Sequence, residues 1–361
     1  MSVLKRRGFT AMLGASALAA PTILRSARAA SPLKAGFVYI GPVGDFGWSF
    51  QHNIGRLQAQ AKLGGAVETS YVENVPGTPE CEAVFESLVA SGHELIFGTS
   101  FDYMNYMVKV AAKYPHIKFE NCTGYKQAPN LAVYDIRYYQ GRYIQGVIAG
   151  HVSKTGKVGY VASVPIPEVV RGMDAVMLGM RTVNPKAELK FIMIDTWYDP
   201  GKEGEATKAL IDQGCDVICQ HTDSPAPLQT AASLHVPVFG QATNMIRFAP
   251  HYQLTASVNE WGGYYTSRMQ AILDNKWSST NVWGGFGDGM LSMAPYTNMS
   301  ADTAAAAAQA VAEIASGKLN VFAGPILDQS GKSFVPAGQV LAGKDLVGLQ
   351  TLVQGINGTL S

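Results

Sequence analysis

Ser153-Lys154-Thr155-Gly156-Lys157, followed by Val158-Gly159-Tyr160-Val161-Ala162, decides the fold. The polar pentad closes one rhythm of strands and helices, and the apolar run opens a second. Upstream, apolar runs predict strands at 34–40, 67–72, 95–97, 117–120 and 131–134. Helices are expected between them at about 51–63, from Thr78-Pro79 to near Gly92, at 103–113 and at 139–152. Downstream, strands at 158–162, 189–194, 216–219, 236–239 and 254–258 alternate with helices at 167–183, 203–213, 226–234 and 261–273. Ser300 caps a late helix that Gly317 stops. Strands alternating with helices of this length form parallel sheets. The expected class is therefore α/β, with two doubly wound parallel-sheet lobes. The first lobe should comprise 30–153 plus about 258–316, and the second 154–257 plus part of 317–361. The chain would then cross between lobes more than once.

Residues 1–29 read as an export signal. Lys5-Arg6-Arg7-Gly8-Phe9 supplies a basic start, Ala11 to Ala20 a small apolar stretch, and Ala27-Arg28-Ala29 a cleavage site. The arginine pair suggests the twin-arginine route. No cysteine follows the cleavage site, so the expected product is unlipidated, soluble and periplasmic. That compartment lacks ATP and NAD. Removing residues 1–29 takes five cations and no acid, leaving 23 Lys and Arg of the 28 against 27 Asp and Glu. Such a balance argues against a nucleic-acid partner. The remaining length favours two domains. No later stretch is apolar for long enough to span a membrane. Cys81, Cys122, Cys215 and Cys219 are too few for a disulfide framework and read as buried small side chains.

Ligands of open parallel sheets sit beyond the carboxyl ends of the strands. Here those ends are Gly41-Pro42-Val43-Gly44-Asp45-Phe46-Gly47-Trp48-Ser49, Glu73-Asn74-Val75-Pro76, Gly98-Thr99-Ser100-Phe101-Asp102-Tyr103, Ser163-Val164-Pro165-Ile166-Pro167, Asp195-Thr196-Trp197-Tyr198-Asp199-Pro200, His221-Thr222-Asp223-Ser224, Gln241-Ala242-Thr243-Asn244 and Asn259-Glu260-Trp261. They are rich in aromatics and hydrogen-bonding groups and poor in cations. That mixture suits a flat, uncharged ligand with a polar rim, stacked on rings and read by amides and carboxyls. Trp48 and Trp197, one in each half, are the candidate stacking rings. Trp261 and Trp277 read as packing residues.

Other chemistry is poorly supported. Gly41-x-x-Gly44-x-x-Gly47 lacks the dinucleotide spacing, and Phe46 and Trp48 would obstruct a pyrophosphate. Cys219-Gln220-His221 stands without a second ligand pair, so no metal site is expected. No nucleophile motif suggests a hydrolase. The expectation is a protein that is not an enzyme and carries no cofactor.

In Gly44-Asp45-Phe46-Gly47-Trp48-Ser49, Gly98-Thr99-Ser100-Phe101, Gln140-Gly141-Arg142-Tyr143-Ile144-Gln145-Gly146, Ser153 to Tyr160 and Trp197-Tyr198-Asp199-Pro200-Gly201-Lys202-Glu203, the chain resembles the basic membrane protein family of ABC-transporter substrate-binding proteins. That family includes purine-nucleoside receptors. The resemblance implies a type I periplasmic-binding-protein fold, in which two lobes joined by a hinge close on a ligand. It implies ligand contacts at Asp45, Phe46, Gly47, Trp48, Ser49, Thr99, Phe101, Trp197, Asp223 and Asn244. Serine replaces an amide at Ser49, while Asn244 and Asn259 replace a sugar-gripping aspartate and lysine. Fewer charge-assisted bonds on that side favour a free purine base, adenine above all, over a nucleoside. The implied partners are this ligand and an inner-membrane ABC permease, with the protein acting as a monomer. A nucleoside, another small polar ligand, or a sensor role are the alternatives.

Overall fold

A computed structural model describes residues 31–360. The expected export signal lies outside the described residues. Strand β1 (Leu33–Val38) leads to α1 (Gly47–Leu63), β2 (Val67–Val72), α2 (Cys81–Ala90), β3 (Leu95–Gly98), α3 (Met104–Lys113), β4 (Lys118–Cys122) and β5 (Leu131–Ile136). Helix α4 (Tyr138–Val152) follows, then β6 (Lys157–Ala162), α5 (Pro167–Val183), β7 (Glu188–Met193), α6 (Pro200–Asp212), β8 (Val217–His221), α7 (Ala226–Ser233) and β9 (Val238–Gly240). Next come β10 (Gln253–Asn259), α8 (Trp261–Leu273), β11 (Asn281–Gly284), β12 (Leu291–Met293) and α9 (Ala301–Ala315). The end of the chain adds β13 (Ile326–Leu327), β14 (Ser333–Val335), α10 (Gly343–Val347) and β15 (Ile356–Asn357).

Among the described residues there are two large sheets. One runs β11-β5-β4-β3-β1-β2 and is parallel throughout. The other runs β12-β10-β9-β8-β6-β7-β15, with β12 alone antiparallel to its neighbour. The central strands β3, β6 and β8 are buried along almost their whole length and mostly apolar, as burial on both faces demands. Phe37 stacks on Phe97 across β1 and β3 with centroids 4.5 Å apart. All four cysteines are buried and unpaired. No helix of the described residues is long and apolar enough to cross a membrane.

The chain passes between the sheets at 136–138, 259–261 and 284–291. The second of these carries α8 back to α1 on the first sheet, and β11 then joins β5. Two expected boundaries shift. Helix α4 packs on α5 and α9 rather than on the first sheet, and β12 pairs with β10. Residues 138–153 and 291–315 therefore sit with the second sheet, not the first. The cause is steric fit. A Cβ on Gly146 of α4 would lie 2.1 Å from the Val176 carbonyl oxygen of α5, so only glycine permits that approach. Ser300 caps α9 as expected, its hydroxyl accepting the Thr303 N–H at 3.1 Å.

Candidate functional site

The turn after β1 delivers the first half of the site. Trp48, in the first turn of α1, donates its indole N–H to the Thr99 carbonyl at 2.6 Å. Thr99 is itself held by its hydroxyl, which donates to the Val38 carbonyl at 2.9 Å. Behind the indole, the His52 ring meets it edge-on at 4.5 Å and Trp261 at 5.8 Å. Trp261 is almost completely buried, as expected for a packing residue. The indole face is thus oriented by both polar and aromatic supports. Ser49 accepts the Gly41 N–H and closes the turn. Phe101 follows β3 in a short turn that Ser100 caps through the Asp102 N–H at 3.2 Å.

The second half comes from the ends of β7, β8 and β9 and from the start of α5. Glu203 fastens two of these loops. Its Oε1 accepts the Asp199 N–H at 3.0 Å, and its Oε2 accepts the Ser224 N–H and hydroxyl at 3.2 and 2.7 Å. The Trp197 carbonyl accepts the Asp223 N–H at 3.0 Å, which ties the two loops together. Arg142 of α4 occupies the side-chain carbonyl of Gln241, leaving that amide's amino group for the cavity.

These groups line a partly open cleft, with Ile40, Trp48, Ser100, Phe101 and Thr123 from the first sheet and Glu168, Trp197, His221, Asp223 and Gln241 from the second. Among the described residues that line the cavity, none is Lys or Arg. An adjoining pocket holds Phe46, Ser49 and Tyr198.

Burial governs the electrostatics. It pushes the Glu168 carboxyl up to about 7, against the pull of Arg171 and Arg142. It holds His221 well below the usual imidazole range, helped by Arg142 and Arg171. Neutral His221 places its Nε2 3.2 Å from Glu168 Oε1, and its Nδ1 shares a 3.3 Å hydrogen bond with the Tyr160 hydroxyl. Asp223 is held well above the usual carboxylate range by burial and by Glu203 and Glu168. The cavity therefore offers carboxyls that retain protons easily, one amide donor and aromatic faces. That set can read a flat ring with alternating donors and acceptors on its edge.

Of the residues expected to touch ligand, Trp48, Phe101, Trp197 and Asp223 meet in the cavity, and Phe46 and Ser49 line its neighbour. Thr99 acts from behind by positioning Trp48. Gly47 sits where a Cβ would lie 2.8 Å from the Asp223 carbonyl oxygen, so its φ of +78° and lack of a side chain admit the opposite loop. Two of the expected residues stand away from the cavity. Asp45 lies on the exposed rim, where its carboxylate and carbonyl engage Arg247 of the other half. Asn244 is also exposed, and its side-chain oxygen accepts the Ile246 N–H and the Gln253 amide N–H at 3.1 and 2.9 Å. Neither side chain lines the cavity, because each is spent on fixing a turn or joining the rims. Phe46 meets Phe248 edge-on at 5.1 Å beside the Asp45–Arg247 pair.

Sequence reasoning missed Glu168 and Thr123, and it placed His221 in a strand-end segment without making it a candidate contact. Glu168 lies one residue beyond the strand-end segment that ends at Pro167. An acid in the first turn of a helix after a strand was the available signal.

Comparison with known proteins agrees with this geometry. Residues 33–321 match the family described as ABC transporter substrate-binding protein, PnrA-like. A purine-binding protein of Brucella abortus is 49% identical over 335 residues, covering 93% of this chain and 96% of the relative. A Haloferax volcanii protein named for glucose binding in an ABC transporter is 36% identical over 304 residues, covering 84% and 77%. A solved ABC-transporter solute-binding protein from Aeropyrum pernix superposes with a TM-score of 0.69 at 18% identity, covering 80% and 93%. At that identity the likeness is one of fold.

Proposed function

This chain belongs to the Bmp family of PnrA-like ABC-transporter substrate-binding proteins, and from that premise we propose that it captures a purine base, adenine first, between its two lobes. Its α/β architecture is the type I periplasmic-binding fold, and its relatives bind solutes rather than transform them. The observation that carries the purine reading is the meeting of Trp48 and Trp197, from opposite sheets, in one cavity without a lining cation. Stacking contributes roughly 0.5–1.5 kcal/mol per aromatic pair beyond area burial. The rim of Glu168, Asp223 and Gln241 supplies selectivity, since each unmatched buried donor or acceptor costs about 1–3 kcal/mol. The 49% identical purine-binding relative supports the same ligand class. In this reading residues 1–29 export the chain to the periplasm, where it works as a monomer. The lobes close by a hinge at the three crossings, and the closed form hands its ligand to an inner-membrane permease.

A hexose is the second reading, favoured by the relative named for glucose binding. Aromatic faces and carboxyls also suit a sugar. Titration with adenine, adenosine and glucose, followed by tryptophan fluorescence and calorimetry, separates the two. Adenine should quench Trp48 and Trp197 and bind more tightly than adenosine. A response to glucose with none to any purine base or nucleoside would overturn the purine reading.

A further inference from the structure

Glu168 is one-tenth exposed, lines the cavity, and among the described residues its carboxyl meets one ion-pair partner, His221. That contact occupies one side of Oε1 and leaves Oε2 for whatever fills the cavity. His221 is itself held by Tyr160, which keeps its Nε2 beside the carboxyl.

We propose that Glu168, oriented by His221, is the group that selects among purines, through the number of protons it brings to the ligand's edge. As a neutral acid it donates one O–H and accepts one N–H. That is the complement of adenine, whose edge pairs a ring-nitrogen acceptor with an amino donor. As a carboxylate it accepts two N–H groups, the complement of the two adjacent donors on guanine. No covalent bond changes. When adenine binds the ionised form, one proton is taken up from solvent onto Oε2. The inference rests on the purine reading.

The surroundings support a proton held near neutrality. Burial raises Glu168 to about 7, while Arg171 on its own helix and Arg142 on α4 pull the other way. The acids facing it are Asp135 at the end of β5 and Asp223 after β8, both raised by burial. His221 is held neutral. Tyr138 on α4, Tyr160 on β6 and Cys122 on β4 face the same charge, and burial keeps them protonated. The adenine complex holds the proton, so binding raises the carboxyl further. Adenine affinity is then full below about pH 7 and falls as pH rises through that value.

The test is calorimetric titration of the protein with adenine and with guanine from about pH 6 to pH 8.5, where one linked proton changes affinity by up to about tenfold per pH unit. Adenine binding should weaken with rising pH, and guanine binding should strengthen. Glu168→Gln offers one carbonyl acceptor and one amino donor at every pH. It should bind adenine with no pH dependence and reject guanine, whereas Glu168→Ala should bind both weakly. Tight adenine binding that does not change with pH in the unsubstituted protein overturns the inference and leaves the purine reading standing. So does a folded Glu168→Gln that loses adenine as Glu168→Ala does, or one that keeps the full pH slope. Failure of every purine to bind at any pH overturns both readings. If the Gln variant does not fold, the pH profile of the unsubstituted protein decides alone.

Discussion

Glu120, on β4 of the first sheet, and Glu168, at the start of α5 beside the second, are both buried acids raised above their usual range by burial. Their surroundings differ. Glu120 accepts hydrogen bonds from the Tyr264 hydroxyl at 2.7 Å, Arg268 Nε at 2.5 Å and the Trp277 indole N–H at 2.7 Å. It ties α8 and the segment after it to the first sheet. Glu168 meets His221 and otherwise faces a cavity. A buried charge whose partners are all protein serves the fold. One whose partners are incomplete waits for a ligand, and its environment is costly until one arrives.

Four experiments break or sharpen this contrast. The largest effect is expected from Arg268→Ala, which leaves Glu120 without its cation and should destabilise the protein by about 3–5 kcal/mol. Denaturant melts measure it, and a loss below about 1 kcal/mol would mean that Glu120 is not held as described. Next, Trp197→Ala and Trp48→Ala should each weaken adenine binding by roughly 30-fold or more, the mark of a buried aromatic anchor. Trp48→Ala should also lower the melting temperature, because His52 and Trp261 pack on it; Trp197→Ala should not. Smaller still is the difference between two isosteric changes. Glu120→Gln should cost about 1–2 kcal/mol of stability by weakening charge-assisted bonds, while Glu168→Gln should stay within about 0.5 kcal/mol. Equal costs in thermal melts would erase the distinction. The smallest effect belongs to Arg247→Ala on the exposed rim, at most about fivefold in ligand affinity and fading as salt rises. A salt-independent loss would show that this pair is not a simple surface contact.

The alternation of strands and helices was legible because apolar runs of strand length, punctuated by Gly and Pro, are local signals. Val67–Val72, Pro167–Val183 and Trp261–Leu273 carry the boundaries that the sequence predicts. Trp48 and Trp197 were legible for a second reason, since strand ends in parallel sheets point at one crevice. The placement of Asn244 was not legible because a polar residue after a strand has two uses, and the turn after β9 takes its oxygen for Ile246 and Gln253. Helix α4 was misjudged because it follows the first rhythm directly in the chain, yet its glycines fit α5.

The sequence by itself determined the secondary elements, the two parallel sheets and the aromatic character of the cleft, all of which follow from side-chain type and spacing along the chain. Only the tertiary structure decided which carboxyl faces the cavity, which is consumed by Arg268 or Arg247, and which helix belongs to which lobe. Those outcomes depend on groups far apart in sequence, such as Glu168 and His221 or Asp45 and Arg247, whose proximity exists only after the chain has crossed between sheets. Proton affinity follows burial and neighbours rather than residue type, and so it was settled only by packing.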